Sequence, residues 1–162
     1  MARRRRAIKR AAPIDPKYKS ELVARVVHAL MRSGKKSTAE RIVYGAIEEL
    51  RAAKPDQDSL EVMETAIANM KPKVEVKSRR VGGTTYPVPV EIRPVRQLSL
   101  ALRWMSASAG ARRGTPMPKA VALEMLDAFN GQGNVIKKRD DTHKMAQANK
   151  AFAHYAWGNS NG

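Results

Sequence analysis

The residue types that most often carry catalysis or bind metal ions are few in this sequence and lie far apart. The chain has no cysteine, which excludes disulfides and thiolate metal sites. Its three histidines, His28, His143 and His154, are scattered, and no cluster of carboxylates accompanies them. The glycine pair Gly82-Gly83 lacks the Gly-Lys-Ser/Thr that follows in a phosphate-binding loop. We therefore expect no enzyme, no metal ion and no cofactor.

With catalytic and metal-binding residues so few, the main chemical feature of the sequence is its large number of cationic side chains. The 162 residues include 31 Lys and Arg against 15 Asp and Glu, a formal net charge of +16. Positive charges in such excess repel one another in a compact chain, which indicates a polyanionic partner. We expect this partner to be a nucleic acid rather than an anionic membrane surface. No apolar run approaches the roughly 20 residues of a membrane span. No apolar core follows the basic N-terminus, so we do not expect a signal peptide.

The positive charge is concentrated in separate parts of the chain. Residues 1–20 carry a net +7 from eight cations and one acid, and residues 21–70 carry −1 from seven cations and eight acids. Residues 71–96 carry +5 from seven cations and two acids, and residues 97–162 carry +5 from nine cations and four acids. We expect the nearly neutral part to be scaffold and the basic parts to form the contact surface.

Helical periodicity predicts the elements that position these cations. Apolar residues recur at steps of three and four through six segments, which indicates a mainly α single domain. Residues 1–19 are expected to form a basic arm, residues 20–157 the helical body, and residues 158–162 a flexible tail. The expected helix starts are, in chain order, Ser20, Ser37, Asp58 or Ser59, Val95, Thr115-Pro116, and a position between Lys137 and Asp141.

Between the third and fourth helices the apolar period changes from about 3.6 residues to 2, which predicts two antiparallel strands. This protruding two-stranded β-ribbon is expected at about residues 73–93. Pro87 and Pro89 remove two backbone donors from one edge, so a third strand cannot pair there. We expect a register with an odd-numbered loop that places Val74 opposite Ile92.

Several apolar and aromatic side chains have a predicted place in the body or on the ribbon. Trp104 is expected in the core, and Tyr86 is expected either to stack on a base or to pack on its own turn. Tyr155 and Trp157 could pack on the last helix or on RNA, and the sequence does not separate these alternatives. The methionines at apolar helical positions, which are expected to fill the core, are Met63, Met70, Met105 and Met125.

The ribbon and its flanks resemble the signature of the bacterial small-subunit ribosomal protein seven family, in the residues KPKVEVKSRRVGGTTYPVPVEIRPVRQLSLALRW at 71–104. The turn MRSGKK at 31–36 resembles the first interhelical turn of that family. The last helix of the family is similar to KKRDDTHKMAQANKAFAHYAW at 137–157. The resemblance covers essentially the whole chain apart from the tail.

This resemblance implies six helices with a β-ribbon between the third and fourth. It implies a primary binder of small-subunit ribosomal RNA that nucleates assembly of the head. Such a protein would lie at the subunit interface, near the exit-site transfer RNA and the messenger RNA, and would contact small-subunit protein eleven. The resemblance further implies a cytoplasmic protein of the ribosome that is not a homo-oligomer there, with an organellar ribosome as the alternative.

The resemblance also assigns the cations. The ribbon tip would lie near transfer RNA and messenger RNA, through Arg79, Arg80, Gly82, Gly83 and Tyr86. The residues expected to bind ribosomal RNA are Arg3, Arg4, Arg5, Arg6, Lys9, Arg10, Lys35, Lys36, Lys73, Lys77, Arg93, Arg96, Arg103, Arg112, Arg113, Lys119, Lys137, Lys138 and Arg139.

Two other interpretations of the basic ribbon stay open at this point. DNA-bending architectural proteins also use β-arms with proline near their tips, and such a protein would prefer duplex DNA to an RNA junction. A protein-interaction module would keep its RNA affinity when Arg79 and Arg80 are neutralised.

Overall fold

A computed structural model of the chain describes residues 13–156. The predictions for the arginines and lysines of residues 3–10, for Trp157 and for the tail at 158–162 therefore concern residues outside the described part. In the described part the chain forms α-helices joined by short connections, with one two-stranded antiparallel sheet between the third and fourth helices. This confirms the mainly α fold with an inserted ribbon.

The elements follow one another in the predicted order. A 3₁₀ helix, which the sequence did not separate from the last α-helix, follows α6 at Lys150–Tyr155. The others are α1 (Glu21–Leu30), α2 (Lys36–Ala53), α3 (Ser59–Met70), β1 (Val74–Val81), β2 (Thr84–Glu91), α4 (Pro94–Ala111), α5 (Met117–Phe129) and α6 (Asn134–Ala148).

Side chains cap the predicted starts of α1 and α3 but not that of α2. The side chains of Ser20 and Asp58 each accept a hydrogen bond from a backbone N–H in the first turn of their own helix. The cap predicted at Ser37 is wrong, because α2 begins one residue earlier and has no side-chain cap. Glu40, the acid three residues after Ser37, is ion-paired with Lys36, with Nζ 3.3 Å from Oε1.

The sixth helix begins at Asn134, three residues before the earliest predicted start. Gly133 precedes it with a φ of +94°, a left-handed conformation that glycine adopts without strain. Val135 and Ile136, in the first turn, are 2% and 4% exposed. The apolar pair therefore fixes the start of α6 to the body, although two residues are too few to give a periodic pattern.

Side chains from α1 to α5 enclose one apolar core, which Val135 and Ile136 of α6 join. The methionines predicted to fill it are at most 1% exposed, which confirms that prediction. Trp104 is partly buried and packs against this core. Among the helices of residues 13–156, none combines the length and apolar character needed to cross a bilayer.

The ribbon has the predicted strands but not the predicted register. Val74 lies opposite Glu91, one residue from the expected pairing with Ile92. The connection is the two-residue turn Gly82-Gly83, with φ values of +57° and +88°. A type I′ turn requires positive φ at both central residues. Its loop has two residues, an even number, whereas the predicted register required an odd number of loop residues. The turn chemistry therefore sets the register.

We expect Met105→Ala to lower the free energy of unfolding by about 2–5 kcal/mol, because it leaves a cavity in the core. Met105 is 0% exposed, whereas Met145, on α6, is 55% exposed. The control Met145→Ala should change the stability by less than about 0.5 kcal/mol. Urea unfolding followed by circular dichroism measures both, and equal losses would contradict this placement of the core.

Candidate nucleic-acid interface

Most predicted RNA-binding cations of the described part lie exposed on the surface. Within residues 13–156, no three His, Asp or Glu side chains are grouped so that they could hold a metal ion. The exposed members without a side-chain hydrogen bond, ion pair or ring contact inside the described part are Lys35, Lys73, Arg80, Arg93, Arg103, Arg113, Lys119 and Lys137.

A groove between α1 and α4 gathers three arginines. It has a volume of about 530 Å³, and Arg25, Arg32 and Arg103 line it together with His28. None of the described residues that line it is acidic. Arg25 is paired with Glu21 at 2.5 Å. Arg32 and Arg103 have no ion pair within the described part, so the groove can accept anionic groups on these two arginines.

Sequence reasoning found Arg103 but missed Arg25 and Arg32. Arg25 lies outside the apolar stripe of α1, whereas Arg32 lies beyond Leu30, where α1 ends, so no helical spacing relates the two residues. The sequence therefore offered a signal for Arg25 and none for Arg32.

Two basic segments that are far apart in the sequence lie side by side in the structure. Lys35, in the turn before α2, lines one pocket with Gly110 at the end of α4 and Met117 at the start of α5. The basic loop with Arg112 and Arg113 connects these two helices. The first interhelical turn and the α4–α5 loop thus form one end of the molecule.

Arg112 points into the body rather than to solvent alone. Its Nε lies 2.6 Å from Oε1 of Glu124, and its Nη2 lies 2.5 Å from Oδ2 of Asp127. The side chain of Glu124 is 1% exposed, and its other oxygen has no hydrogen-bond partner in the described part. Arg112 therefore holds the end of α4 against α5 and neutralises a buried carboxylate.

An ion pair joins the base of the ribbon to α4. Arg96 forms a two-pronged contact with Glu75, with Nε–Oε1 and Nη2–Oε2 distances of 2.9 Å each. Lys77 lies 3.2 Å from the same carboxylate. The hydrogen bond from Arg96 holds the pKa of Glu75 below its ordinary value, against the opposing effect of burial. In the observed register Glu75 faces Val90. A register with Val74 opposite Ile92 would instead place Glu75 opposite Glu91, an unfavourable pair of like charges.

The outer half of the ribbon packs against the 3₁₀ helix. The ring of Tyr86 lies 5.4 Å from that of Phe152 and 5.2 Å from that of Tyr155, measured between centroids. Arg79 donates a hydrogen bond to the carbonyl oxygen of Tyr155. Tyr86 thus packs neither on its own turn nor in open solvent, and Tyr155 packs on the ribbon rather than on α6. The C-terminal part of the described chain and the ribbon form one surface.

Two further cations near the ribbon and core are also engaged. Arg139 is half-buried and donates hydrogen bonds to Asp140 and to the carbonyl oxygen of Asn69. Lys138 lies over Trp104, with its Nζ 5.7 Å from the ring centroid. These contacts tie α6 to α3 and α4, so both residues have structural partners.

The described end of the predicted arm lies against the body. Asp15 is 4% exposed, and it accepts hydrogen bonds from the backbone N–H groups of Lys17 and Tyr18 and from the hydroxyl of Tyr44. Burial and the hydrogen bond to Asp15 raise the pKa of Tyr44 to about 12. The packed body therefore begins within residues that the sequence assigned to the arm.

His143 attaches α6 to the start of the ribbon. Its Nε2 accepts a hydrogen bond of 3.0 Å from the backbone N–H of Lys73. Burial lowers the pKa of His143, and the positive charges of Arg139 and Lys73 lower it further, against the opposing charge of Asp140. The neutral imidazole is thus the form that holds the ribbon base.

The family is decided by comparison with known proteins. The model for ribosomal protein S7p/S5e matches residues 2–150. The chain belongs to this family. Two similar proteins, from Alkalilimnicola ehrlichii and Francisella tularensis subsp. novicida, are both named small ribosomal subunit protein uS7. Each is 54% identical over 157 residues, which cover 97% of this chain and 100% of the relative.

Membership in the S7p/S5e family confirms the resemblance found in the sequence. The family is one of structural components of the small ribosomal subunit and not of enzymes, so this chain is a structural protein of the cytoplasmic ribosome. It is part of a ribonucleoprotein particle, which disfavours the interpretation as a DNA-bending protein.

Acid is expected to loosen the ribbon. Because folding lowers the pKa of His143, the unfolded chain binds its proton more readily than the folded chain. The stabilising contribution is therefore complete above the ordinary value of about 6.5 and is lost as the pH falls through the lowered folded value. His143→Gln keeps an acceptor that does not titrate, so its melting temperature should fall less than that of the unchanged protein between about pH 8 and pH 5.

Thermal unfolding across this pH range measures the difference. His154→Gln, on the 3₁₀ helix, is the control and should follow the unchanged protein. An identical pH dependence for His143→Gln and the unchanged protein would contradict the assigned role.

Proposed function

We propose that this chain is a primary binder of small-subunit ribosomal RNA that nucleates assembly of the head of the subunit. We further propose that it lies at the subunit interface, near the exit-site transfer RNA and the messenger RNA. The observation that carries the proposal is the placement of exposed, unpaired cations from several distant segments on one helical body. Because the chain belongs to a family of small-subunit ribosomal proteins, ribosomal RNA is the polyanion that we expect these cations to bind.

The binding mechanism is mainly electrostatic. Each phosphate that a cation neutralises releases condensed counterions, so affinity falls with salt by a slope of about 0.7 to 0.9 per contact. The α1–α4 groove offers Arg32 and Arg103 to a phosphate backbone. The deep groove of A-form RNA cannot be read by side chains, so recognition depends on the shape of a folded junction and on unstacked bases.

The cations divide into two roles under this proposal. Exposed residues without an internal partner, such as Lys35 and Arg113, neutralise phosphates directly. The half-buried residues Arg79, Arg112 and Arg139 donate hydrogen bonds within the chain, and their main effect is to hold the exposed cations in place. Their predicted contacts with RNA stay predictions.

The ribbon and the 3₁₀ helix support the proposed position at the exit site. Because Tyr86 packs on Phe152 and Tyr155, the ribbon tip and the C-terminal segment present one joint surface. Arg80, two residues before the Gly82-Gly83 turn, is exposed near the ribbon tip. We propose that this surface faces transfer RNA and messenger RNA, and that a neighbour such as small-subunit protein eleven contacts the same region.

A competition experiment tests the proposed function. The chain should bind a folded junction of small-subunit ribosomal RNA more tightly than duplex DNA of equal length at the same salt. Between about 50 and 200 mM salt, the affinity for the junction should fall by orders of magnitude if several phosphates are neutralised. Preference for DNA, or affinity that does not change with salt, would contradict the proposal.

The neighbours Arg112 and Arg113 provide a matched test of the two roles. Arg113→Gln should reduce the salt slope by about 0.7 to 0.9, the share of one phosphate contact, with little change in stability. Arg112→Gln leaves Glu124 buried without its partner and should cost on the order of 3 kcal/mol of stability, with the salt slope unchanged. The double change Arg112→Gln with Glu124→Gln should recover much of that loss.

Salt-dependent filter binding and urea unfolding measure the two effects separately. If Arg112→Gln lowered the salt slope as Arg113→Gln does, and left the stability intact, the division of roles would be wrong.

A further inference from the structure

An apolar pocket lies where the ends of four helices meet. Its volume is about 240 Å³. Leu30 from α1, Ile42 from α2, Gly110 from α4 and Met117 from α5 form its apolar walls. The volume is below the about 300–1,000 Å³ of pockets that bury a whole drug-sized ligand. The pocket can therefore take one ring or one side chain, but not a nucleotide chain.

The pocket is bordered by positive charge. Arg32 and Lys35 line it, and both are exposed. Within residues 13–156 neither side chain has an ion pair or a hydrogen bond, and none of the described residues that line the pocket is acidic. A group that fills the pocket should thus have apolar faces, and negatively charged groups should adjoin it, near Arg32 and Lys35.

Arg32 also lines the α1–α4 groove, so the pocket opens directly beside the proposed path of the phosphate backbone. A chain of phosphates that lies on the groove arginines would bring the next nucleotide to the pocket. An amino-acid side chain could fill the apolar volume, but it would bring no regular pair of anions to Arg32 and Lys35.

We propose that this pocket receives one unpaired base of the RNA, with the adjoining phosphates on Arg32 and Lys35. The inference depends on the proposed function, since it names a subsite on the same RNA-binding surface. Phosphate contacts position a protein but carry no sequence information, whereas an unstacked base does. The pocket therefore lets the chain distinguish a folded junction from a regular duplex.

Gly110 allows the pocket to be filled without damage to the fold. A Cβ placed at Gly110 meets no atom within 4 Å, and the residue has no left-handed φ. Leucine in a helix is also more favourable than glycine by several tenths of a kcal/mol. Gly110→Leu should thus keep the protein folded while it occupies the space of the base. The controls are Gly110→Ala, which adds only a methyl group, and Ala111→Leu, which adds a leucine side chain at an exposed position that does not line the pocket.

Binding to a folded ribosomal RNA junction and to an RNA duplex of equal length is the first measurement. Gly110→Leu should weaken binding to the junction roughly tenfold, by loss of one buried base. It should leave duplex binding and the salt slope unchanged, since Arg32 and Lys35 remain. Both controls should bind like the unchanged protein.

Chemical probing of the bases is the second measurement. One unpaired base that the unchanged protein protects should become reactive in the Gly110→Leu complex, while the backbone protections persist. If Gly110→Leu keeps the junction preference and every base protection, the base pocket is refuted and the proposed function stands. If the unchanged protein binds junction and duplex equally, the proposed function fails and the base pocket fails with it.

Reconstitution of the small subunit tests the alternative that a side chain of a neighbouring protein, rather than an RNA base, fills the pocket. If Gly110→Leu leaves the RNA contacts intact but a neighbouring protein no longer assembles, a protein side chain fills the pocket and the proposal is wrong.

Discussion

Like charges that are held close together repel, and this chain carries 31 Lys and Arg against 15 Asp and Glu. An apolar core must therefore hold the cationic segments in place. Carboxylates at contacts between elements also hold cationic segments in place. Glu124 pairs with Arg112 between α4 and α5, and Glu75 pairs with Arg96 between the ribbon and α4. The cations that these acids leave unpaired face outward, toward the space where a polyanion can lie.

The ribbon has a defined orientation because it is attached at several points. At its base, Lys73 donates to His143 of α6 and Glu75 pairs with Arg96 of α4. Along its outer half, Tyr86 packs on the 3₁₀ helix. A two-stranded ribbon alone is marginally stable in water, so these contacts supply what the strands lack. They also couple the position of its tip to that of the helical body.

Local patterns in the sequence were sufficient to predict the fold, but not the contacts that hold its elements together at the candidate interface. Periodicity identified the helices, and the glycine pair with two prolines identified the ribbon, because these signals act between near neighbours. The register depended on one detail of turn geometry, the even loop at Gly82-Gly83. The partners of Arg112 and Tyr86 lie 12 or more residues away, and no spacing rule relates them. A count of cations therefore could not separate those that face solvent from those that hold helices together.

The central claim is that cationic segments distant in the sequence surround one folded RNA, and cleavage of RNA by probes on the protein tests it most directly. Since the chain has no cysteine, Lys35→Cys and Arg113→Cys each provide a single attachment point for a radical-generating group. In reconstituted small subunits, the two probes should cleave ribosomal RNA at overlapping nucleotides, because the two loops lie at one end of the molecule. Absence of cleavage in ribosomal RNA, or cleavage at unrelated sites, would contradict the account.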